Sequence, residues 1–364
     1  MSEVTEIDGS ILEGGGQILR LSMSLSTLLR KPIKISKIRA GRSKGGLRPQ
    51  HLKGIVMANE MCGGSLTGAV IESSQIEFHP GNLRSGKFEA DTQTAGSIGL
   101  ILQVALPIAL FAPSFSSLRL KGGTNADMAP PIDYTINVFV PILKKFGADC
   151  ECSVIRRGYY PKGGGEVEVR IPPVTNLNSI NMTLFGTVKR VWGRAYVAGT
   201  LPLHLSEKMA EVADKTLRSI LPRSASFDIK AVKESPQEAF GNGSGIVLFA
   251  ETDTGCIVGS SALGSRGLSP NQVGLKAANE LADTLQQESC VDSHAQDQII
   301  ILMALANGKS VVKCGPITEH TKTAIYIAET LTKAKFTINE TGTNMNVLEC
   351  DGIGFKNKYL PAKS

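Results

Sequence analysis

Pro32-Ile-Lys-Ile-Ser-Lys-Ile-Arg-Ala-Gly-Arg-Ser-Lys-Gly-Gly-Leu-Arg-Pro-Gln-His-Leu52 changes period twice. Its first part alternates apolar and polar residues over 33–38, the pattern of a half-buried strand. From Pro49 to Met61 the spacing becomes helical, with proline in the first turn where its missing N–H costs nothing. Between the two, Arg39, Arg42, Lys44 and Arg48 sit among Gly41, Gly45 and Gly46. A basic, glycine-softened loop between a strand and a helix N-terminus is suited to phosphate, because free backbone N–H groups and guanidinium groups then point the same way.

The same alternation of strand and helix continues outward from this stretch. Helices are expected over Gln17 to Leu29, with Ile18, Leu21, Leu25 and Leu28 as one stripe, over Thr94 to Leu110, and over Ile132 to Phe146. Strand-like runs fall at 33–38, 66–71, 75–79, 116–120 and 165–171, so the class is α/β (α+β), built from repeated units of two helices and several strands. Glycine-rich turns recur at Glu13-Gly-Gly-Gly-Gln17, Lys121-Gly-Gly-Thr124 and Lys162-Gly-Gly-Gly-Glu166. After the polar, proline-containing Pro172–Ser179, residues 188–287 read as a separate α/β module, and the earlier style resumes with a helix at 297–306, a strand at 310–314 and a helix at 318–333. The organisation is that of an insertion, with one domain made of 1–182 and 287–364 and a smaller one at 183–286.

At 364 residues with a net charge of +6, the chain has ample apolar content for its cores, and its basic residues matter by clustering rather than by excess. Seven cysteines without C-x-x-C spacing point to reduced thiols and an intracellular compartment. Cys150 and Cys152 share a strand face but lack partners at metal-ligand spacing, and are assigned to packing. The N-terminal residues lack the pattern of a signal peptide. Ala95 to Phe111 is too short for a membrane span and is broken by Gln103 and Pro107, so no membrane association is expected.

The usual nucleotide signatures are missing: Asn307-Gly-Lys-Ser310 has the tail of a P-loop without its leading glycine, and no G-x-G-x-x-G follows a strand. Of five histidines, His320 has the most suggestive setting, in the first turn of a helix after Gly315-Pro-Ile-Thr-Glu319. Imidazole there can attack phosphorus to form a labile P–N bond beside free N–H groups, or simply make a local hydrogen bond at a helix start. Glu13, beside three glycines, and Asp297 with Gln298 are candidates to hold a nucleotide-bound divalent metal, and equally suit turns and caps.

Together these segments resemble the RNA 3'-terminal phosphate cyclases from Asp8 to about Gly354, with a leaning to the eukaryotic type. The resemblance is carried by Glu13-Gly-Gly-Gly-Gln-Ile-Leu-Arg20, Ile38-Arg-Ala-Gly-Arg42 with Leu47-Arg-Pro-Gln-His-Leu52, Lys121-Gly-Gly-Thr-Asn125 with Ala129-Pro-Pro131, Arg157-Gly-Tyr-Tyr-Pro-Lys-Gly-Gly-Gly165, Asp297-Gln298, and Gly315-Pro316 leading to His320. It implies a large domain of three βαβαββ-type units like the C-terminal domain of translation initiation factor three, and an inserted domain of thioredoxin-like topology before the last unit. It implies a ligase-class enzyme forming phosphoric-ester bonds. ATP would adenylate a histidine, AMP would pass to an RNA 3'-phosphate, and the neighbouring 2'-OH would close a 2',3'-cyclic phosphate and expel AMP.

By position the resemblance makes His320 the nucleophile and Glu13 the ligand of Mg²⁺ or Mn²⁺. It sets Arg20, Arg39, Arg42 and Gln50 around the phosphates of ATP or the RNA end, and Gln17, Gln103, Pro130, His294, Asp297 and Gln298 among the nucleotide-binding residues, with Pro130 beside the adenine. His294 stands where relatives often carry a tyrosine that stacks on adenine, a smaller face for the same contact. The implied partners are ATP and RNA with a 3'-phosphate end, and nuclear residence is the expectation; oligomeric state is not legible. Two rival readings are a non-catalytic relative acting in ribosome assembly, which would lack the nucleophilic histidine, and a carboxyvinyl transferase, which rests on fold analogy alone.

Overall fold

The computed structural model describes residues 3–361. Strand β1 (Thr5–Asp8) lies parallel to β2 (Ile33–Ser36), whose Ile33 and Ile35 are buried while Lys34 and Ser36 are half-exposed. β2 stops at Ser36, short of the expected Ile38, because Lys37 and Arg39 adopt left-handed φ of 51° and 53° and turn the chain into the basic loop. Helix α1 (Gly16–Leu29) separates the two strands, α2 (Pro49–Glu60) follows the loop with proline at its start, and β3 (Ser65–Thr67) and β4 (Ile76–His79) complete a sheet in the order β1-β2-β4-β3.

The next segment repeats this arrangement. It comprises β5 (Lys87–Asp91), α3 (Ile98–Leu110), β6 (Ser116–Gly122), a helix running from α4 (Ile132–Tyr134) through a π-helical stretch, Thr135–Phe139, into α5 (Val140–Lys145), then β7 (Glu151–Gly158) and β8 (Gly165–Ile171). The first four strands of its sheet are ordered β5-β6-β8-β7, again with the first pair parallel and the others antiparallel, and a fifth, short strand from later in the chain, Ala239–Phe240, lies parallel to β7 at the edge. β5 escaped the periodicity reading, and α3 begins at Ile98 rather than Thr94 because the Ser97 side chain caps it, accepting the Leu100 N–H at 3.3 Å.

After β9 (Asn181–Met182) the chain leaves for a further sheet. β10 (Val188–Ala198), α6 (His204–Arg218), β11 (Ser226–Glu234), β12 (Ala239–Phe240), β13 (Gly243–Thr252), β14 (Ile257–Leu263) and α7 (Pro270–Gln286) follow. Four of these strands form a sheet ordered β11-β10-β13-β14, with β10 and β11 parallel, and both α6 and α7 pack on it. The chain then returns through α8 (Ser293–Gln298), α9 (Ile300–Leu305), β15 (Asn307–Cys314), α10 (Glu319–Thr332), β16 (Lys335–Gly342) and β17 (Met345–Ile353). Their sheet is ordered β9-β15-β17-β16, with β9 parallel to β15. The excursion therefore leaves after β9 and returns to complete that strand's sheet; a two-residue strand carries no period by which sequence could find it.

α1 departs most from the expected stripe. Every residue from Gln17 to Leu28 is buried, since the helix is packed by α2, α3 and α10 together. Its hydroxyls are accommodated by backbone: Ser24 Oγ donates to the carbonyls of Arg20 and Val104, each at 2.9 Å, and Thr27 to Met23 at 2.7 Å. The 188–286 segment is seated on the second sheet by a buried ionic cluster. Arg157 donates two hydrogen bonds to Asp133, at 2.5 and 2.7 Å, while its Nε lies 3.1 Å from Glu234, which also accepts from Arg194 at 2.8 Å. All seven cysteines are unpaired, and no helix among the described residues is long and apolar enough to cross a membrane.

Candidate active site

Three elements distant in sequence meet at the start of α1. The turn Glu13–Gly16 needs its glycines for distinct reasons: Gly14 has φ +58°, and a Cβ on Gly16 would stand 2.6 Å from His51 Nε2 and 2.8 Å from Arg20 Nη1. The Glu13 N–H donates to Thr323 Oγ1 at 3.2 Å, which ties this turn to α10. Arg42 pairs with the Glu13 carboxylate and donates to the Glu13 carbonyl at 3.1 Å. Glu13 Oε2 is buried and has no hydrogen-bond partner. Arg39 Nη1 holds the basic loop closed by donating to the carbonyls of Lys44 (2.8 Å) and Gly46 (3.1 Å).

Arg20 is buried and donates to Gln17 Oε1, with its Nε unpartnered. Burial lowers its pKa, against the attraction of Asp297 and Glu13. Asp297 shows the converse: burial raises its pKa, opposed by Arg20, His320 and His294 in that order. These mutual effects put Arg20, Asp297, Glu13 and His320 in one electrostatic neighbourhood. His320 itself is exposed in the first turn of α10, where the Thr318 side chain caps the helix by accepting the Thr321 N–H at 3.0 Å.

A narrow cleft opens beside this cluster, and Gln17, Gln103, Thr135, Asp297 and Gln298 supply its polar lining among Leu102, Leu106 and Phe139. Gly99 is also at this wall, and its missing Cβ would lie 3.3 Å from the Pro130 carbonyl, so Pro130 sits at the rim. Gln50 is near the same helix start, its Oε1 accepting the Ser97 N–H at 3.0 Å. His294 is turned elsewhere: its ring meets Tyr134 edge-on at 5.7 Å between centroids, and its Nε2 lies 3.8 Å from Glu280 Oε1. Lys44 is exposed, and Arg48 pairs with Glu72 at 3.4 Å, as befits the rim of the loop.

Two contributors were not singled out from sequence. His51 is buried, accepts the Arg48 N–H at Nδ1 (3.3 Å), and is held neutral with its pKa lowered to about 3 by burial and then by Arg20, Arg39 and Arg48. Gln296, also buried, bonds the turn before His320 through both ends of its amide. The helix carrying it starts at Ser293, four residues before the expected start, because Asp292 caps it by accepting the N–H groups of His294 and Ala295 at 3.0 and 2.9 Å. The Asp-Ser-His-Ala sequence held that capping signal. Among the described residues no group of three or more His, Cys, Asp or Glu is placed to hold a metal.

The RNA 3'-terminal phosphate cyclase family model matches residues 11–338. A protein named RNA 3'-terminal phosphate cyclase from Drosophila melanogaster is 41% identical over 358 residues, covering 98% of this chain and 99% of its own length. One of the same name from Pyrobaculum aerophilum is 40% identical over 349 residues, covering 96% and 98%. Among solved structures, EPSP synthase from Acinetobacter baumannii aligns over 97% of this chain and 66% of its own at 11% identity and a TM-score of 0.29, too low to bear on fold or chemistry. On the family match and on these relatives, the chain belongs to the RNA 3'-terminal phosphate cyclase family.

Proposed function

We propose that this chain uses ATP to convert an RNA 3'-terminal phosphate into a 2',3'-cyclic phosphodiester, with His320 as nucleophile. The observation that carries the reading is the position of His320, in the first turn of α10, within electrostatic reach of the buried Asp297 and on the helix to which the Glu13 turn, itself paired with Arg42, is tied. A P–N bond forms between the imidazole and the α-phosphorus as the bond to pyrophosphate breaks. The RNA 3'-phosphate oxygen then takes the AMP from nitrogen, and the ribose 2'-OH attacks the activated phosphorus, loses its proton and expels AMP. The adenylate makes a poor electrophile reactive, so the protein has mainly to position the groups and offset their charge.

Arg20, Arg39 and Arg42 supply the positive charge, and the Gln50 amide adds a donor next to them. Gln17, Gln103, Asp297 and Gln298, which share one cleft, hold the nucleotide with Pro130 at the rim, and His294 reaches it only by turning away from Tyr134 and Glu280. A divalent ion, Mg²⁺ or Mn²⁺, fits Glu13, whose Oε2 is a buried oxygen without a partner; when bound it would offset charge on the departing pyrophosphate. The ion needs few protein ligands because phosphate oxygens supply others.

The shared strand order of the three sheets supports a domain of three units resembling the C-terminal domain of translation initiation factor three. The order β11-β10-β13-β14 supports a thioredoxin-like insert over 183–286, between large-domain segments 1–182 and 287–364. Intracellular, nuclear residence belongs to the same reading. Incubation with α-labelled ATP and metal tests it: acid-labile label on the protein that disappears in His320→Ala is expected, and an unlabelled wild-type chain overturns it. RNA with a 2'-deoxy 3'-phosphate end should be adenylated at most and give no cyclic product.

A further inference from the structure

One segment of the sequence has no part in the reaction as derived: Tyr160-Pro-Lys162, the tip of the hairpin joining β7 to β8. The hairpin is closed by the Gly163 N–H donating to the Tyr159 carbonyl at 2.8 Å. Tyr160 is 81% exposed at this tip, with nothing packed over it to account for an aromatic residue in solvent. Against the same hairpin lies Phe240, 40% exposed on β12, which the 188–286 segment adds to the edge of this sheet by pairing Ala239 and Phe240 with Arg157 and Gly158. Gly164, at φ +74°, leaves room for that ring, since a Cβ there would stand 2.3 Å from Phe240 Cδ1. Arg156 and Lys162 place their charges 5.2 and 5.7 Å from the Phe240 centroid, and Arg156 Nε is fixed on the Gly164 carbonyl at 3.0 Å.

This patch is continuous with the candidate active site. A Cβ on Gly163 would reach the Thr94 carbonyl at 2.1 Å, so the hairpin rests on the loop 92–97. That loop leads into Ser97, whose N–H is held by Gln50, and then into α3 with Gly99 and Gln103 on the cleft wall. The carboxylate of Glu238, nearest in sequence to Phe240, is turned back to accept the Ser235 N–H at 2.8 Å. Exposed aromatic faces interleaved with cations, and a path to a site for an RNA end, match what a single strand presents: unpaired bases on a charged backbone.

We propose that Tyr160, Lys162, Phe240 and Arg156 form a docking platform for the single-stranded RNA immediately upstream of the terminal phosphate, with bases stacked on the two rings and the backbone beside the two cations. The inference rests on the proposed RNA substrate and names how the remainder of that substrate is held. It assigns to the 188–286 segment a role in substrate binding, because that segment provides Phe240.

The test compares two substrates ending in a 3'-phosphate, a single-stranded oligoribonucleotide of about ten nucleotides, within the usual site size for such strands, and a dinucleotide. Tyr160→Ala, Phe240→Leu and Lys162→Ala are each expected to raise KM for the longer RNA, the aromatic changes by about tenfold, the scale of one lost base stack. KM for the dinucleotide should stay as in wild type. Phe240→Trp should retain the affinity for the longer RNA, and Lys162→Ala should lessen its salt dependence. Equal losses on both substrates, or wild-type values on the longer RNA in both Tyr160→Ala and Lys162→Ala, overturn the platform. Labelling by ATP alone, which needs no RNA, separates the two readings: a wild-type chain that fails to label refutes the proposed function, whereas one that labels while the variants keep wild-type RNA affinity refutes the platform only.

Discussion

Gln296 and Thr321 are joined at 2.6 Å by a buried hydrogen bond in which the threonine hydroxyl donates to the amide oxygen. The same oxygen accepts the Thr318 N–H at 3.0 Å, and the amide nitrogen donates to the Pro316 carbonyl at 3.3 Å. One side chain on α8 thus holds the entire turn from which His320 projects. Gln296→Leu keeps the bulk but strands two donors in the interior, which should cost about 2–4 kcal/mol in urea unfolding. In single-turnover labelling the adenylation rate should fall by at least about tenfold, with ATP affinity changed less, because the loss falls on the position of the nucleophile. A wild-type rate in a folded variant would contradict this role.

Asp297 carries a stability cost with a definite pH sign. Burial raises its pKa even though Arg20, His320 and His294 pull the other way, so the folded chain takes up this proton more readily than the unfolded chain. Its contribution to folding is therefore full below the ordinary carboxyl value of 3.8 and is lost as pH rises through the folded value. Asp297→Asn should accordingly unfold at a higher temperature than wild type at neutral pH, with the difference closing in acid, while activity falls about 10²-fold. Thermal unfolding across pH, read beside turnover, checks both halves.

Gly16→Ala sets helix propensity against the site. Alanine favours a helix over glycine by about 1 kcal/mol, but its Cβ would collide with His51 Nε2 and Arg20 Nη1. The expected result is a folded protein with a small change in melting temperature and an activity reduced by at least about tenfold, since Arg20 is pushed away from Gln17 and the phosphate site. Circular dichroism melts and the labelling assay on one preparation distinguish this from general destabilisation.

His51 titrates in the opposite sense to Asp297. With its pKa depressed to about 3, its neutral form contributes stability that is fully present above the ordinary value of 6.5 and is lost as pH falls from there toward 3. The interval corresponds to on the order of 5 kcal/mol at full loss. His51→Gln, which removes the titration, should make urea stability less dependent on pH between 6.5 and 3. An unaltered slope over that interval would show that the imidazole does not titrate as its surroundings require.

Much of the local structure was legible. The helix from Gly16, the proline-led helix at Pro49 and the strand at Gly165–Ile171 follow from side-chain period and turn residues, which act over a few positions. α8 starts ahead of its apolar period because the Asp292 cap lies upstream of it, and β9 leaves no trace along the chain because two residues show no period. The burial of α1 all round is not legible along the chain, since Ser22, Ser24, Ser26 and Thr27 look like a solvent face, whereas the carbonyl of Val104, on α3, accepts from Ser24.

By itself the sequence determined the α/β class, the basic loop after β2 and the placing of His320 at a helix start, because each depends on neighbours along the chain. Only packing brings the Glu13 N–H to a hydroxyl 310 residues away at Thr323, sets Arg20 within electrostatic reach of Asp297, and keeps His51 neutral among arginines. The physical reason is that burial and charge proximity are properties of packed surfaces: they shift a group's ionisation and fix its direction only after separate units have closed on one another.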